Sequence, residues 1–393
     1  MLTFHSDYYI IYKKGQNTMQ KTLDKLFEYE INTAAVPFLC CIVHRGGTEI
    51  YRFCGGAEYD EKRSLCFMYS LSKVFLSAAV MHAAEKGLFS LSDPAYKFLP
   101  ELYGVKVKKR NVDGLLKIEP AQKPILISQL LTMTAGFDYN AQSPSIRKYI
   151  KETGGKFETR SISRALSEQP LLFEPGERFY YSLCHDVLAA LLEEASGMSF
   201  CDYLSKYFLV PLGIKNAYFK FSEELCPRMA TQYILNTRTG DFSAEPHNAF
   251  YLGSEYQSGG AGLIADADSV ITFADMLACG GRAGSGERIL KPETIDMMRR
   301  NRLTPRQMRD FYAQEPFFGY GYGYGVRTLI NPEAAGTNAP CGTFGWSGAA
   351  GSDISIDPEH EITVFYTHHL LSSALNVHKT VKNIVYGYLM QKS

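Results

Sequence analysis

Strand-like runs stand at both ends of this chain and helical patterns fill its middle, and that arrangement constrains the fold most. Phe38-Leu39-Cys40-Cys41-Ile42-Val43, a break at Arg45-Gly46-Gly47, and Glu49-Ile50-Tyr51-Arg52-Phe53 read as a β-hairpin ended by Gly55-Gly56. Far downstream, Thr343 to Trp346, Asp353 to Ile356 and Ile362 to Thr367 read as further strands, the last pair turned at Asp357-Pro358. Helical patterns cover Lys21 to Glu30, Ser77 to Gly87, Ile127 to Met133, Asp186 to Glu194, Asp268 to Ala278 and Lys379 to Leu389. Strands from both termini around a helical middle predict an α+β fold: an antiparallel sheet flanked by helices, with an inserted mostly helical domain. The expected boundaries are 19–92 and 250–393 for a discontinuous α/β domain, 93–249 for the insertion, and 1–18 for an N-terminal extension. Met19 reads as the real start of the protein, because Gln20 onward looks like the first helix. Two segments resist assignment. Lys106 to Lys123, strongly basic in its first half, reads as a solvated loop. Gly319 to Val326 alternates Gly and Tyr, which places its tyrosines on one face of an extended strand.

The chemistry concentrates at Ser70-Leu71-Ser72-Lys73. A helix starting near Ser70 puts Ser70 and Lys73 one turn apart on the same face. A hydroxyl beside an amine at a helix N-terminus becomes a nucleophile if the amine loses its proton through burial or a nearby cation. The pattern is short, and about one chance match is expected in a chain this long. Ser145-Ile146-Arg147-Lys148 also matches, but it follows Ser143-Pro144 and leads toward Gly154-Gly155, which reads as exposed surface. Ser70 has apolar runs on both sides and belongs at the edge of a core. The bland alternative for Ser70 is a helix N-cap.

Composition closes off other classes. The charges balance at 41 against 41 without a long basic run, which argues against nucleic acid and against an anionic membrane surface. No apolar run approaches the roughly 20 residues a membrane span needs, and Met1 to Thr18 lacks the pattern of a secretory leader. The nine cysteines include no C-x-x-C pair, so neither a zinc site nor a disulfide framework is expected; free buried thiols in a reducing cytoplasm fit instead. No cofactor or metal is expected, and the partner is a small-molecule substrate. His368-His369 at a strand end lacks a third ligand at sensible spacing. His185 and Asp186 raise a Ser-His-Asp triad. Without any G-x-S-x-G they read instead as a structural histidine and a helix-start residue.

From about residue 30 to its end the chain resembles the serine β-lactamase and penicillin-binding-protein superfamily, closest to the class C-like branch and its esterases. The resemblance rests on blocks in the family's order: Phe67-x-x-Ser70-x-x-Lys73; Leu88-Phe89-Ser90-Leu91-Ser92-Asp93-Pro94; Leu130-Leu131-Thr132-Met133-Thr134-Ala135-Gly136; Pro175-Gly176-x-x-Phe179-x-Tyr181-Ser182; Pro211-Leu212-Gly213-Ile214; and Gly259-Gly260-Ala261-Gly262-Leu263. It implies a β-lactamase/transpeptidase-like fold and an acyl-enzyme on Ser70. Lys73 and Tyr181 share the proton, and which of them is the base stays open. The implied oxyanion hole is the backbone N–H of Ser70 and of Ala349, with Trp346, Ser347 and Gly348 lining the substrate. Two departures matter. The Tyr-x-Asn motif reads Tyr181-Ser182-Leu183, and the Lys-Thr-Gly motif reads Trp346-Ser347-Gly348. Both resemble the family's esterases and remove the cation and amide that would hold a β-lactam. The expectation is a serine hydrolase acting on a carboxylic ester, or on a D-amino-acid amide or peptide. The rivals are a class C-like β-lactamase or penicillin-binding protein, and a binding or regulatory protein of the same fold without turnover.

Overall fold

The computed structural model describes residues 18–390 apart from 34, 111, 112, 316 and 374; of the expected N-terminal extension, 1–17 lies outside these described residues. The central sheet has seven strands: β1 (Leu39–Arg45), β2 (Thr48–Gly55), β3 (Tyr320–Tyr322), β4 (Arg327–Leu329), β5 (Phe344–Ser347), β6 (Asp353–Asp357) and β7 (Ile362–Thr367). Their spatial order is β3-β4-β5-β6-β7-β1-β2, and every neighbouring pair is antiparallel. The two ends of the chain meet at β1 and β7, where Cys40 stands opposite Thr367 and Val43 opposite Val364.

Both faces of this sheet are covered, which explains why β7 is buried along its whole length. Alternate residues go to opposite layers. Leu39, Cys41, Val43, Val364 and Tyr366 pack with Leu23 and Phe27 of the helix Met19–Asn32 and with Val381 and Val385 of the helix Val377–Leu389. Ile42, Ile354 and Phe365 face the opposite way, into the core that holds Val270, Ile271 and Ala274 of the helix Ala267–Ala278. That core continues without a break into Leu130, Leu188 and Leu191 of the helical middle. A smaller sheet carries the nucleophile strand: Cys66–Tyr69 pairs with Leu263–Ala265, which pairs in turn with Ala217–Tyr218.

Four readings need correction. Gly319 to Val326 is not one strand; Tyr320–Tyr322 and Arg327–Leu329 form a hairpin that turns between them. Lys106 to Lys123 is not a loop but a second hairpin, Lys106–Arg110 against Leu116–Pro120, whose outer strand is exposed along its length. Cys40 and Cys54 face each other across β1 and β2 and form a disulfide, with Cα atoms 4.1 Å apart, so not all cysteines are free thiols. Their pairing is a product of hairpin register, which cysteine spacing alone does not report. Ser145 is buried rather than exposed. Its hydroxyl accepts from Gln169 Nε2 at 2.6 Å, and Lys148 pairs with Glu168 at 2.8 Å, so this second S-x-x-K forms no dyad. Among the described residues no helix is long and apolar enough to cross a membrane.

Candidate active site

The nucleophile strand ends at Tyr69, a non-glycine residue held at φ +46°. Such a left-handed residue is costly unless its surroundings enforce it. Here Ser72 supplies the enforcement: its hydroxyl donates to the Tyr69 carbonyl at 2.5 Å and accepts from the Leu263 N–H at 2.9 Å. The chain therefore turns sharply between strand and helix, and Ser70 sits in the turn. The helix proper begins at Ser72 rather than near Ser70, runs to Glu85, and has no side-chain N-cap bond. The helix-capping alternative for Ser70 therefore has no geometry behind it.

Lys73 is completely buried. Its Nζ lies 3.2 Å from Ser70 Oγ and donates to the Gly260 carbonyl at 2.6 Å. Burial pushes its pKa down to about 8, against an upward pull from Asp186, Glu315 and Cys184. The same amine stands 4.7 Å from the centre of the Tyr181 ring.

Tyr181 is delivered by an extended segment that two groups hold in place. Phe179 packs edge-on against Phe311 and Tyr322. Gln314, at the end of the helix Pro305–Gln314, accepts from the Tyr181 N–H at 3.0 Å and donates to the Phe179 carbonyl at 3.0 Å. Burial pushes the Tyr181 pKa well above that of an ordinary phenol, against a downward pull from the nearby Ser70 hydroxyl. Trp346 of β5 stacks on its ring, centroids 5.7 Å apart at 16°, and donates Nε1–H to Tyr181 Oη at 3.2 Å. Ser70, Lys73, Tyr181 and Trp346, which are distant in sequence apart from the first two, thus meet at one point.

The other expected residues follow β5 to its end. Gly348 packs against the nucleophile strand so closely that an added Cβ would lie 2.2 Å from the Met68 carbonyl oxygen. Ala349 follows this contact directly in the chain. Ser347 is turned toward the sheet: its hydroxyl donates to Asp353 Oδ2 at 2.8 Å and accepts from Arg327. Arg327 does not enter the space above Ser70. It is buried, paired with Asp353, and lies 4.8 Å from the centre of the Phe317 ring.

Three contributors escaped the sequence reading. Tyr139 brings a second phenol to the site, its ring edge-on to Tyr181 at 5.1 Å and its centre 6.0 Å from Lys73 Nζ. Burial raises its pKa as it does that of Tyr181. It lies on a loop after Gly136, and no local pattern marks it. Gly260 and Gln314 act through backbone and amide groups; Gly260 falls in a block noticed above, but its contact with Lys73 depends on the fold. His185 Nε2 lies 3.2 Å from Ser77 Oγ, which excludes it from a triad with Ser70. His369 Nε2 accepts from the Phe67 N–H at 3.0 Å, and His368 Nδ1 lies 3.1 Å from Tyr366 Oη.

Comparison with known proteins adds an independent line. A family model described as Beta-lactamase matches residues 21–384. Protein Rv1367c of Mycobacterium tuberculosis (strain ATCC 25618 / H37Rv) is 30% identical over 315 residues, spanning 78% of this chain and 77% of that protein. Esterase EstB of Burkholderia gladioli is 28% identical over 365 residues, spanning 85% and 86%. Among solved structures, "EstCE1, a hydrolase with promiscuous acyltransferase activity" is similar at a TM-score of 0.75 and 25% identity, covering 93% of this chain and 97% of that one.

Proposed function

The chain belongs to the beta-lactamase family, and we propose that within it the protein is a serine hydrolase that cleaves small carboxylic esters through an acyl-enzyme on Ser70. The observation that carries this reading is the buried Lys73 amine 3.2 Å from Ser70 Oγ, with the Tyr181 and Tyr139 rings 4.7 and 6.0 Å from the same amine.

In this reading Lys73 is the base. A pKa of about 8 leaves roughly one-tenth of the amine neutral at pH 7, whereas an ordinary lysine would be neutral in well under 0.1% of molecules. Burial opposes a Tyr181 phenolate, so the phenol stays protonated and serves as relay. The Ser70 hydroxyl proton passes to Lys73 as Oγ attacks the ester carbonyl. The tetrahedral oxyanion is held by the N–H groups of Ser70 and Ala349. Collapse expels the alcohol, which takes its proton from Lys73 through Tyr181. Water then repeats the sequence on the acyl-enzyme and releases the acid.

The pocket chemistry supports an ester over a β-lactam. Trp346 and Leu183 stand where the family pattern has a cation and an amide, and both are buried apolar surface. Arg327, a candidate for a carboxylate anchor, is committed to Asp353 and Ser347. The walls draw on both parts of the chain: Ser70, Lys73 and Trp346 on the sheet-bearing part, Tyr139 and Tyr181 on the segment 93–249.

The test uses a fluorophosphonate probe, a p-nitrophenyl ester and nitrocefin. Wild type should react with the first two and hydrolyse short-chain esters much faster than nitrocefin; Ser70→Ala should lose both reactions. Equal signals from the two proteins would end the hydrolase reading, and faster nitrocefin turnover would replace it with a β-lactamase.

A further inference from the structure

The mechanism above leaves unused a buried carboxylate beside its base. Asp186 lies in the first turn of the helix Cys184–Ser196. An acidic residue there ordinarily faces water and complements the helix dipole. Asp186 is instead buried and spends its oxygens on another segment. Oδ1 accepts from Ser258 Oγ at 2.6 Å, from Tyr256 Oη at 2.8 Å and from the Gly260 N–H at 3.4 Å. Ser258 Oγ in turn accepts from the Ala261 N–H at 3.0 Å. Oδ2 lies against Gly260 so tightly that an added Cβ would come within 2.4 Å of it.

Gly260 is the link between this carboxylate and the chemistry. Its N–H faces Asp186, and its carbonyl accepts from Lys73 Nζ at 2.6 Å. We propose that Asp186 is a positioning residue for the base: by tying Tyr256, Ser258 and Gly260 together it sets the Gly260 carbonyl that holds the Lys73 amine against Ser70 Oγ. The inference rests on the serine-hydrolase reading. It assigns a role to a residue that the sequence marks only as a helix-start acid. Electrostatics point the same way, because Asp186 is the strongest of the influences that support the Lys73 proton against burial. The other charged or titratable groups facing Lys73 are Glu315, Cys184, His185, Tyr139 and Tyr181, and substitution at Asp186 leaves all of them in place.

Three substitutions separate anchor from charge. Asp186→Asn keeps an oxygen for the three donors and removes the charge. Asp186→Ala removes both, and Ser258→Ala removes one donor. Lys73 is read directly from the titration of ¹³Cε-labelled lysine by NMR, without substrate, and the rate from kcat, KM and the pH profile on a p-nitrophenyl ester. Asp186→Ala is expected to lose about 10–100-fold in kcat, with KM within about threefold, because the amine is misplaced by a fraction of an ångström to about one. Asp186→Asn should lose less, while its Lys73 titration and the matching limb of the pH profile move to lower pH. If Asp186→Ala does not fold, Asp186→Asn and Ser258→Ala carry the test alone. Folded variants with kcat within twofold of wild type and an unmoved Lys73 titration would overturn the inference. If wild type itself shows no Ser70-dependent hydrolysis, the hydrolase reading fails, and the NMR titration still judges whether Asp186 governs the amine.

Discussion

Substituting Gly348 by alanine probes the geometry of the site through a single methyl group. The added carbon would lie 2.2 Å from the Met68 carbonyl oxygen and 2.3 Å from Ser352 Oγ. Carbon atoms pack at about 3.5 Å from their neighbours, so one side must retreat by roughly 1 Å. Ser352 has little room, because its hydroxyl donates to the same Met68 carbonyl at 3.1 Å and its carbonyl accepts from the Gly348 N–H at 2.7 Å. Retreat of β5 displaces the Ala349 N–H, and retreat of Met68 displaces Ser70. Either movement separates the two proposed oxyanion donors. Losing one such donor typically costs about 10²–10³ in kcat, and a displacement of about 1 Å about 10². Gly348→Ala should therefore lower kcat on a p-nitrophenyl ester by about two orders of magnitude. The overpacking should also lower stability by about 1–3 kcal/mol in urea unfolding. A folded variant that keeps kcat within fivefold of wild type would refute the placement of Ala349 in the oxyanion hole.

Three further outcomes follow from the same geometry. Because the Lys73 proton must leave before attack and its pKa stands at about 8, kcat/KM should rise with pH through about 8 and fall about tenfold per unit well below it; a rate that declines between pH 7 and 9 would contradict a neutral lysine base. Trp346→Phe keeps the apolar wall but removes the 3.2 Å bond to Tyr181 Oη; a neutral hydrogen bond contributes about 0.5–1.5 kcal/mol, so kcat/KM should drop about 2- to 13-fold, and an unchanged value would detach the indole from the chemistry. Asp353→Asn should destabilise by about 3–5 kcal/mol in chemical denaturation, since it strips the buried Arg327 of its carboxylate partner. Burial alone would raise the Asp353 carboxyl, but Arg327, Lys382 and His378 hold it well below the usual carboxylate range. The stability it contributes is therefore present above pH about 4 and is lost as the pH falls further, which acid titration of wild type against the variant would reveal.

Much of this molecule can be read in its residues because the relevant signals are local. The hairpin at Leu39–Gly55 and the strands β5, β6 and β7 alternate or run apolar between glycine and proline punctuation, and they stand where expected. Ser70 and Lys73 are close in the chain, so the single turn that leads into the helix, closed by the Lys73 N–H on the Ser70 carbonyl at 3.1 Å, brings them together. What was misread lacks such a signal. The tract from Gly319 to Val326 keeps a period of two whether it runs straight or reverses, and only pairing with β5 distinguishes the cases. The strand Leu116–Pro120 is exposed at every position, so its composition matches that of a solvated loop. Tyr139 follows Gly136, whose carbonyl accepts from the Leu172 N–H at 2.8 Å, and its ring packs against Phe250 and lies 6.0 Å from Lys73 Nζ; none of these contacts is visible along the chain. Asp186 carries the ordinary mark of a helix start, while its partners at Tyr256, Ser258 and Gly260 lie far away in sequence.

The most direct measurement is the mass of the enzyme caught in turnover. A p-nitrophenyl ester reaction is quenched in acid within the first seconds, digested, and mapped by tandem mass spectrometry. The expected result is the acyl group on the peptide bearing Ser70, at that side chain, and its absence when Lys73 is replaced by alanine. Turnover with an unmodified Ser70 peptide, or with the acyl group on another residue, would contradict the proposed chemistry.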